Sequence, residues 1–263
     1  MTDAIPQAPA VRPTAAAIII GNEILSGKVE EKNAAFLIGR FRALGVRLAE
    51  VAFIEDTREA IVSAIHRLSP EHDFVVTTGG VGPTHDDVTM SAVADAFGVS
   101  LVDSEELKTI MTRLMKAAPT PGHLRMTWVP DGSESVYGAD MPWPTTKMRN
   151  VFIFPGVPWL LRAKFQDIEG HFASTHRVHL GVFELDAEEA HICESLDAIV
   201  GAHPNVEIGS YPRYEAGAWK IRLTVEALGP APILAAMTAI RTAIGPLIVS
   251  ETPPDNVLGD APG

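Results

Sequence analysis

Short apolar runs alternate with segments of helical periodicity between residues 15 and 98. The runs at 15–20, 46–54 and 74–78 are rich in β-branched side chains, which is typical of strands buried in a parallel sheet. After each run, apolar residues recur at every third or fourth position, as on the buried face of a helix. These residues are Leu37, Phe41 and Leu44, then Ile61, Ile65 and Leu68, then Met90, Val93, Ala94 and Phe97. The alternation predicts a doubly wound, mostly parallel α/β sheet with right-handed crossovers.

The local signals at the ends of these helices agree with that interpretation. Gly45 and Gly98 follow the first and third helices, where a left-handed glycine often ends a helix. Asp56 and Thr57 precede the second helix and are residue types that cap helix N-termini.

The pattern is less regular from residue 100 to 177. Apolar spacing predicts a helix through Leu107 and Leu114, which the APTPGH stretch at 118–123 would end. Residues 126–129 and 151–154 predict two more strands, separated by a proline-rich loop at 138–150. The PGVPWLL stretch at 155–161 leads into another helix. We therefore assign residues 15–177 to one α/β domain.

A different order of elements begins at residue 178. Strands are predicted at 178–185, 206–211 and 219–227, helices at 188–200 and 231–244, and an extended segment at 247–250. This order fits a small α+β module of ferredoxin-like or KH-like type over residues 178–250. Residues 1–14 and 251–263 have the composition of flexible tails.

Composition and charge exclude several classes of protein. The formal net charge of −12 argues against nonspecific binding to nucleic acid, because a phosphate backbone requires a basic surface. We expect no membrane span, since no run approaches about 20 apolar residues, and no signal peptide. The single cysteine, Cys193, cannot form an internal disulfide, which favours a reducing, cytoplasmic location. Its apolar-periodic surroundings predict a buried structural thiol.

The first candidate for chemistry is the sequence TTGGVGPTHDDVT at 77–89, which follows a predicted strand and precedes a helix. We call residues 79–82, GGVG, the glycine turn. Gly79, Gly80 and Gly82 allow close approach of the backbone to a ligand, and exposed amides at Thr78 and Val81 favour an anion such as phosphate. The alternative is that the glycines only form a tight strand-to-helix connection. The adjacent His85 and acids favour a functional site, at the strand ends where ligands bind in open parallel sheets.

Asp56, Asp86 and Asp87 form a candidate metal and acid/base set. Carboxylates beside a phosphate-binding turn would repel the ligand unless a divalent cation bridges them, and Mg²⁺ commonly takes one or two carboxylates plus phosphate oxygens. The alternative is that these aspartates are three unrelated helix caps.

Two further segments offer ligand contacts. Glu23 and Asn33 flank the polar stretch after the first strand and are candidates for contacts to a nucleotide or pterin ring, although a solvated loop explains them equally well. Gly156, within the PGVP sequence at 155–158, allows close approach, although two prolines also suit a rigid turn without a binding role.

These residues carry a resemblance to a known family. The stretches IIIGNEILSG with Asn33, VVTTGGVGPTHDDVT, VPDG at 129–132, FPGVP and IGSYP at 208–212 occur in order and span about 15–250. The chain resembles the molybdopterin-binding (MoCF-biosynthesis-like) superfamily, of the competence-damage-inducible protein CinA N-terminal type. It is also similar to the N-terminal domain of eukaryotic FAD synthases, particularly over PWPTTKMRNVFIFPGVP at 142–158.

The resemblance implies an α/β fold with a ligand crevice at the glycine turn, and a small appended module that is not a nucleic-acid-binding KH domain. It implies that Asp56 and Asp87 correspond to two aspartates that handle Mg²⁺ and nucleotide phosphates in related molybdopterin adenylyltransferases. It also implies metal-dependent pyrophosphate hydrolysis of ADP-ribose or FAD, and a homo-oligomer, either a dimer or a trimer. Full-length CinA carries a further amidase-like domain, which this sequence does not contain. We therefore do not expect nicotinamide-nucleotide deamidation.

Three hypotheses of function follow. The first is an enzyme that hydrolyses a dinucleotide pyrophosphate with Mg²⁺, Mn²⁺ or Co²⁺, in which Asp56 and Asp87 position metal and water, and Asp86 or His85 assists proton transfer. The second is a protein that binds molybdopterin or a pterin nucleotide without hydrolysis. The third is a scaffold that oligomerises and binds no ligand.

Overall fold

The structure is a computed structural model that describes residues 12–115, 117–174 and 178–255. Two compact units divide the chain, one spanning Pro13–Ala173 and the other beginning at Ser174 and including Arg12. The predicted tails at 1–14 and 251–263 lie largely outside the described residues.

The first unit begins with alternating strands and helices, as the apolar pattern predicts. Only a single-turn helix after the first strand, in a stretch expected to be a polar turn, departs from the prediction. In chain order the elements are β1 (Thr14–Ile20), α1 (Asn22–Leu25), α2 (Asn33–Ala43), β2 (Arg47–Ile54), α3 (Arg58–Leu68), β3 (Phe74–Thr78) and α4 (Thr89–Phe97).

Shorter elements complete the unit. They are β4 (Leu101–Asp103), α5 (Glu105–Leu114), α6 (Pro121–Arg125), β5 (Trp128–Pro130), β6 (Glu134–Val136), β7 (Thr145–Met148), β8 (Val151–Phe154) and α7 (Pro158–Ile168). The main sheet has the order β2-β1-β3-β8-β7-β6, in which β2, β1, β3 and β8 are parallel and β7 is antiparallel to both of its neighbours, β8 and β6. The predicted doubly wound, mostly parallel fold is confirmed.

Alternation along β1 explains why helices cover both faces of this sheet. Ala15, Ala17 and Ile19 pack into one core with residues of α2 and α7, whereas Ala16, Ile18 and Ile20 pack into a second core with residues of α3 and α4. Since successive side chains of a strand point to opposite faces, an uninterrupted apolar strand must be buried on both sides.

One prediction about the middle of the chain is wrong. The loop expected at 138–150 contains β7, which forms a tight hairpin with β8 through Arg149 and Asn150. Arg149 has a φ of 53°, a left-handed conformation that glycine usually adopts. Because no glycine stands at this position, the sequence does not indicate the turn. The strand expected at 126–129 is confirmed as β5, which pairs with β4 in a separate two-stranded sheet.

The predicted helix ends are confirmed in detail. Thr57 is the N-cap of α3, and its side chain accepts a hydrogen bond from the backbone N–H of Ala60 at 3.3 Å. Gly45 and Gly98 follow α2 and α4 with φ values of 75° and 67°.

The second unit contains β9 (Val178–Leu185), α8 (Cys193–Ala202), β10 (Val206–Glu215), β11 (Ala218–Leu228), α9 (Pro230–Ile244) and β12 (Ile248–Asp255). Its antiparallel sheet has the order β10-β11-β9-β12, which is the ferredoxin-like arrangement. β12 extends past residue 250, where we expected the tail to begin. It remains paired with β9 because Pro253 and Pro254 fall at an irregularity of an edge strand, where no ladder hydrogen bond is lost.

Cys193 is exposed, which corrects the expectation of a buried thiol. The buried position is taken by Ile192, and α8 begins one residue later, so the Cys193 side chain faces outward. Its Sγ lies 3.3 Å from the carbonyl oxygen of Ala190, to which the thiol donates.

Within the described residues, no helix is both long enough and apolar enough to cross a membrane.

The core below α2 and α7 is an aromatic cluster whose loss should destabilise the protein. Phe165 is fully buried and contacts Phe41 and Phe172 with ring centroids 5.3 and 4.9 Å apart. We expect Phe165→Ala to lower the free energy of unfolding by about 3–5 kcal/mol, through lost burial and the cavity left behind. Phe53→Ala is the matched control, because Phe53 is 46% exposed, and it should cost about 1 kcal/mol or less. Chemical denaturation measures both, and equal losses would contradict the assigned core.

Candidate functional site

A crevice of about 600 Å³ lies where β1, β2, β3 and β8 end. Apart from His85, every residue proposed from sequence as a ligand-binding, catalytic or metal-binding residue lines it, namely Glu23, Asn33, Asp56, Thr78, Gly79, Gly80, Val81, Gly82, Asp86, Asp87 and Gly156. Carboxyl ends of parallel strands meet at one edge of a sheet, which is why residues so distant in sequence converge. His85 is not among the lining residues, and its side chain is 95% exposed.

The glycine turn is held by hydrogen bonds at its base. Gly79 donates its N–H to the carbonyl of Phe154 at 3.2 Å, and the Thr89 hydroxyl donates to the carbonyl of Gly79 at 2.8 Å. The N–H of Thr89 donates to the carbonyl of Gly80 at 3.0 Å. These bonds fix the turn between the end of β3 and the start of α4.

Each glycine of the turn is required for a different reason. Gly79 has a φ of 105°, and a Cβ there would collide with the carbonyl oxygen of Ile20. A Cβ on Gly80 would collide with Oγ1 of Thr89 and lie 3.1 Å from Oδ1 of Asp56, and one on Gly82 would lie 2.7 Å from Oδ2 of Asp87. The glycines therefore leave room for the carboxylates as well as for the backbone.

The amides of the glycine turn point to anion binding. Within the described part of the chain, the N–H groups of Gly80, Val81 and Gly82 have no hydrogen-bond acceptor. Consecutive unpaired N–H groups at a glycine-rich turn form a concave anion site. α4 begins only at Thr89, so the turn does not open directly into a helix as the sequence suggested, and the backbone amides rather than the helix end carry this potential.

Asp56 is the least compensated acid in the crevice. Its Oδ1 is buried and has no hydrogen-bond partner among the described residues. Burial first, and then the negative charges of Asp87, Asp86 and Glu23, together raise the pKa of Asp56 to about 6. Asp56 is not a helix cap, because Thr57 fills that role. The alternative that Asp56 serves only as a cap is therefore excluded.

Asp87 and Asp86 lie in the loop after the glycine turn, before α4, and cap no helix. Oδ2 of Asp87 accepts hydrogen bonds from the N–H and hydroxyl of Thr84 at 2.8 and 2.5 Å, which fixes the orientation of the carboxylate. Asp86 is largely exposed, and its Oδ1 lies 3.9 Å from Nδ1 of His85.

Asn33 joins two walls of the crevice. The residue is buried, and its Nδ2 donates to the carbonyl oxygen of Gly156 at 2.8 Å, which ties the start of α2 to the PGVP turn. Oδ1 of Asn33 has no partner among the described residues and remains an acceptor. Glu31, which sequence reasoning missed, accepts from the N–H groups of Asn33 and Ala34 at 2.5 and 2.9 Å and so caps α2.

Negative charge dominates the crevice. Among the described lining residues Lys32 is the only cation, and its Nζ lies 3.3 Å from Glu30. The lining carboxylates are Glu23, Glu30, Glu31, Asp56, Asp86 and Asp87. No group of three or more His, Cys, Asp or Glu side chains in the described residues is arranged to hold a metal by itself.

The donor set nevertheless suits a cation that shares its coordination with a ligand. Mg²⁺ is commonly held by one or two carboxylates while substrate phosphates and water supply the remaining oxygens. The unpaired Oδ1 of Asp56 and the fixed carboxylate of Asp87 are such a pair. These residues therefore fit a divalent cation that binds together with a phosphate.

Comparison with known proteins identifies the family. Residues 16–170 match the family described as a probable molybdopterin binding domain, and residues 177–252 match the middle domain of FAD synthase. The first match covers more than half of the chain, which therefore belongs to the molybdopterin-binding-domain family, as the sequence motifs predicted.

Individual relatives agree with this assignment. A protein of Archaeoglobus fulgidus, whose name states no activity, is 35% identical over 196 residues, which are 74% of this chain and 84% of that protein. A probable FAD synthase of Caenorhabditis briggsae is 28% identical over 92% of this chain, which spans 50% of that enzyme. The crystal structure of CinA from Thermoplasma acidophilum, described as of unknown function, has a TM-score of 0.56 and 28% identity, and covers 61% of this chain and 98% of that one.

The close approach at Gly79 should be visible as a loss of stability. We expect Gly79→Ala to lower the free energy of unfolding by about 2 kcal/mol more than Gly27→Ala. Both glycines have positive φ, but a Cβ at Gly27 meets nothing within 4 Å. The comparison in chemical denaturation separates backbone strain from the contact with Ile20, and equal losses would contradict that contact.

The pKa of Asp56 predicts an unusual pH dependence of stability. Between pH 3.8 and about 6 the folded protein retains a proton that the unfolded chain has released, so stability falls as pH rises through this window. Asp56→Asn removes this loss. We expect the variant to be more stable than the wild type at pH 7 by about 1 kcal/mol, a value reduced for solvent screening, and the difference to vanish near pH 3.8. Denaturation from pH 3.5 to 7.5 without metal measures it, and parallel profiles would refute the raised pKa.

Proposed function

We propose that the crevice binds a dinucleotide pyrophosphate together with a divalent cation and hydrolyses it. The observation that carries this proposal is the buried Oδ1 of Asp56, which has no hydrogen-bond partner in the described part of the chain and belongs to the same crevice as the amides of the glycine turn. The substrates are of the FAD or ADP-ribose type, and the cations are Mg²⁺, Mn²⁺ or Co²⁺.

Two opposed preferences in the crevice support a phosphate–cation pair. The N–H groups of Gly80, Val81 and Gly82 favour negative charge, whereas the carboxylates of Asp56, Asp86 and Asp87 repel it. A pyrophosphate alone would face these acids, and a cation alone would leave the amides without an acceptor. Both together satisfy both groups.

The residues divide into distinct roles. The glycine-turn amides hold one phosphate, and the side chains of Asp56 and Asp87 hold the cation. A bound divalent cation offsets charge on the phosphates and lowers the pKa of water. Asp86, at the exposed rim, or His85 beside it accepts the proton that the attacking water loses.

The reaction cleaves the P–O–P link. The oxygen of water bonds to one phosphorus, and the bridging oxygen leaves on the other phosphate, so that each product is a monophosphate. FAD gives FMN and AMP, and ADP-ribose gives ribose 5-phosphate and AMP. The match to a FAD synthase middle domain, and similarity to a probable FAD synthase over 92% of the chain, support FAD as the first substrate to test.

A second candidate function uses the same crevice without hydrolysis. The family description names molybdopterin, whose pterin and phosphate would occupy the glycine turn and the neighbouring walls. In this case the protein binds a pterin nucleotide and no metal-dependent turnover occurs. We further propose a cytoplasmic homo-oligomer, a dimer or trimer, that binds small ligands and neither nucleic acid nor membranes.

Removal of either metal-binding carboxylate tests the proposal. We expect the 263-residue chain to convert FAD or ADP-ribose to monophosphates with Mg²⁺, Mn²⁺ or Co²⁺. Asp56→Asn and Asp87→Asn should each lower kcat by about a hundredfold or more. Asp131→Asn is the matched control, because Asp131 is exposed and lies outside the crevice. Chromatography measures the products.

The outcomes separate the candidates. Absence of turnover with all three metals, or turnover unchanged in Asp87→Asn, would overturn the hydrolase. Calorimetric binding of a pterin without turnover would establish the second candidate.

A further inference from the structure

The two oxygens of the Asp87 carboxylate have different surroundings. Oδ2 accepts two hydrogen bonds from Thr84, one from the backbone N–H at 2.8 Å and one from the hydroxyl at 2.5 Å. Oδ1 accepts no hydrogen bond from the described part of the chain. Only one of the two oxygens is therefore open to a ligand.

The number of lone pairs decides what Oδ2 can still offer. Each oxygen of a carboxylate has about two lone-pair positions. The two donors of Thr84 fill both positions on Oδ2, whereas those on Oδ1 stay free among the described residues. Asp87 can therefore offer one oxygen to a cation, and not both at once.

The glycine turn restricts this carboxylate further. A Cβ on Gly82 would lie 2.7 Å from Oδ2 and 3.1 Å from Oδ1 of Asp87, so the carboxylate packs directly against the backbone. A Cβ on Gly80 would lie 3.1 Å from Oδ1 of Asp56, the other oxygen without a partner in the described residues. The two open oxygens thus lie against the same short turn, which is where a shared cation would contact both.

We propose that Thr84 determines which cation the crevice accepts. By occupying Oδ2, it limits Asp87 to a contact through Oδ1 alone. Thr84 is not among the residues that line the crevice, so it acts through Asp87 and is a positioning residue. The inference rests on the proposed function, since it concerns the cation that binds together with the pyrophosphate.

A contact through one oxygen favours some divalent cations over others. Mg²⁺ requires nearly octahedral coordination and keeps several waters, and Mn²⁺ also accepts octahedral oxygen ligands. Ca²⁺ takes about six to eight oxygens in a looser arrangement and often binds both oxygens of a carboxylate. A carboxylate that is restricted to one oxygen leaves Ca²⁺ short of ligands. The crevice should therefore prefer Mg²⁺ and Mn²⁺ to Ca²⁺.

The alternative is that Thr84 only shapes the loop. The N–H of Asp87 donates to the carbonyl of Thr84 at 3.4 Å, so the two residues also close a backbone turn. Thr84→Val would keep this bond and the N–H of residue 84, and would remove only the hydroxyl. A residue that merely shapes the loop would then change stability at most, whereas a positioning residue would change the affinity for cations.

Binding of Mn²⁺ and Ca²⁺ to the 263-residue chain tests the inference without relying on turnover. Electron paramagnetic resonance of unbound Mn²⁺, with Ca²⁺ as competitor, measures both affinities. The titrations are made with and without the methylene-bridged analogue of ADP-ribose, which cannot be hydrolysed. We expect the wild type to prefer Mn²⁺ by about tenfold or more. Thr84→Val should weaken Mn²⁺ binding about tenfold and reduce this preference, and Thr84→Ser, which keeps the hydroxyl, should bind as the wild type does.

Three further variants isolate the contact with Asp87. In an Asp87→Asn background, Thr84→Val should change the affinity for Mn²⁺ by less than about twofold, because the carboxylate through which it acts is absent. Gly82→Ala keeps Thr84 but presses on Oδ2, and it should weaken Mn²⁺ binding as Thr84→Val does. Thr112→Val is the matched control, because its hydroxyl is also hydrogen-bonded but Thr112 is exposed and lies outside the crevice.

Each outcome bears on the assignment. Failure of Mn²⁺ to bind, wild-type affinity and selectivity in Thr84→Val, failure of Thr84→Ser to restore them, or an equal loss in the Asp87→Asn background would overturn it. If Thr84→Val does not fold, as near-ultraviolet circular dichroism shows, wild-type affinity in Gly82→Ala would overturn it instead. Metal-dependent hydrolysis with equal affinities for Mn²⁺ and Ca²⁺ would refute this inference alone. Selective Mn²⁺ binding that depends on Thr84, without hydrolysis, would refute only the proposed enzyme.

Discussion

The close packing of backbone at Gly79 is the constraint on which the crevice depends. The Cα of Gly79 lies 3.2 Å from where a Cβ on Gly156 would stand, and the carbonyl of Ile20 occupies the space that a Cβ on Gly79 would need. Because no side chain separates these segments, the ends of β1, β3 and β8 meet directly. Asn33, Asp56 and Asp87 are then positioned around that junction by hydrogen bonds and by the gaps that the glycines leave.

The fold tolerates an electrostatic cost at this junction. Asp56 is partly buried beside the carboxylates of Asp87, Asp86 and Glu23, and burial and these charges raise its pKa. The cores on the two faces of the sheet, one of them a cluster of phenylalanine rings, supply the stability that offsets this cost. Groups that destabilise the folded state are a common feature of binding sites, where a ligand relieves the strain.

The site places contrasting environments side by side. Acidic side chains line the open crevice, unpaired amides form the glycine turn, and an apolar cavity with the buried ammonium of Lys164 lies across the wall that contains Val81. A nucleotide has a matching series of parts, in which a phosphate stands between a cation-binding edge and a flat base.

The sequence by itself determined the doubly wound sheet and the position of the crevice. Strands such as residues 15–20 are apolar throughout because both faces are buried. Glycines that follow strands and helices indicate tight turns and left-handed helix ends. The sequence did not reveal β7, whose hairpin depends on a left-handed Arg149, or the exposure of Cys193, which depends on where α8 begins. Nor did it reveal the cavity around Lys164. That cavity is built from residues between 81 and 164, and only packing in three dimensions decides which of them meet.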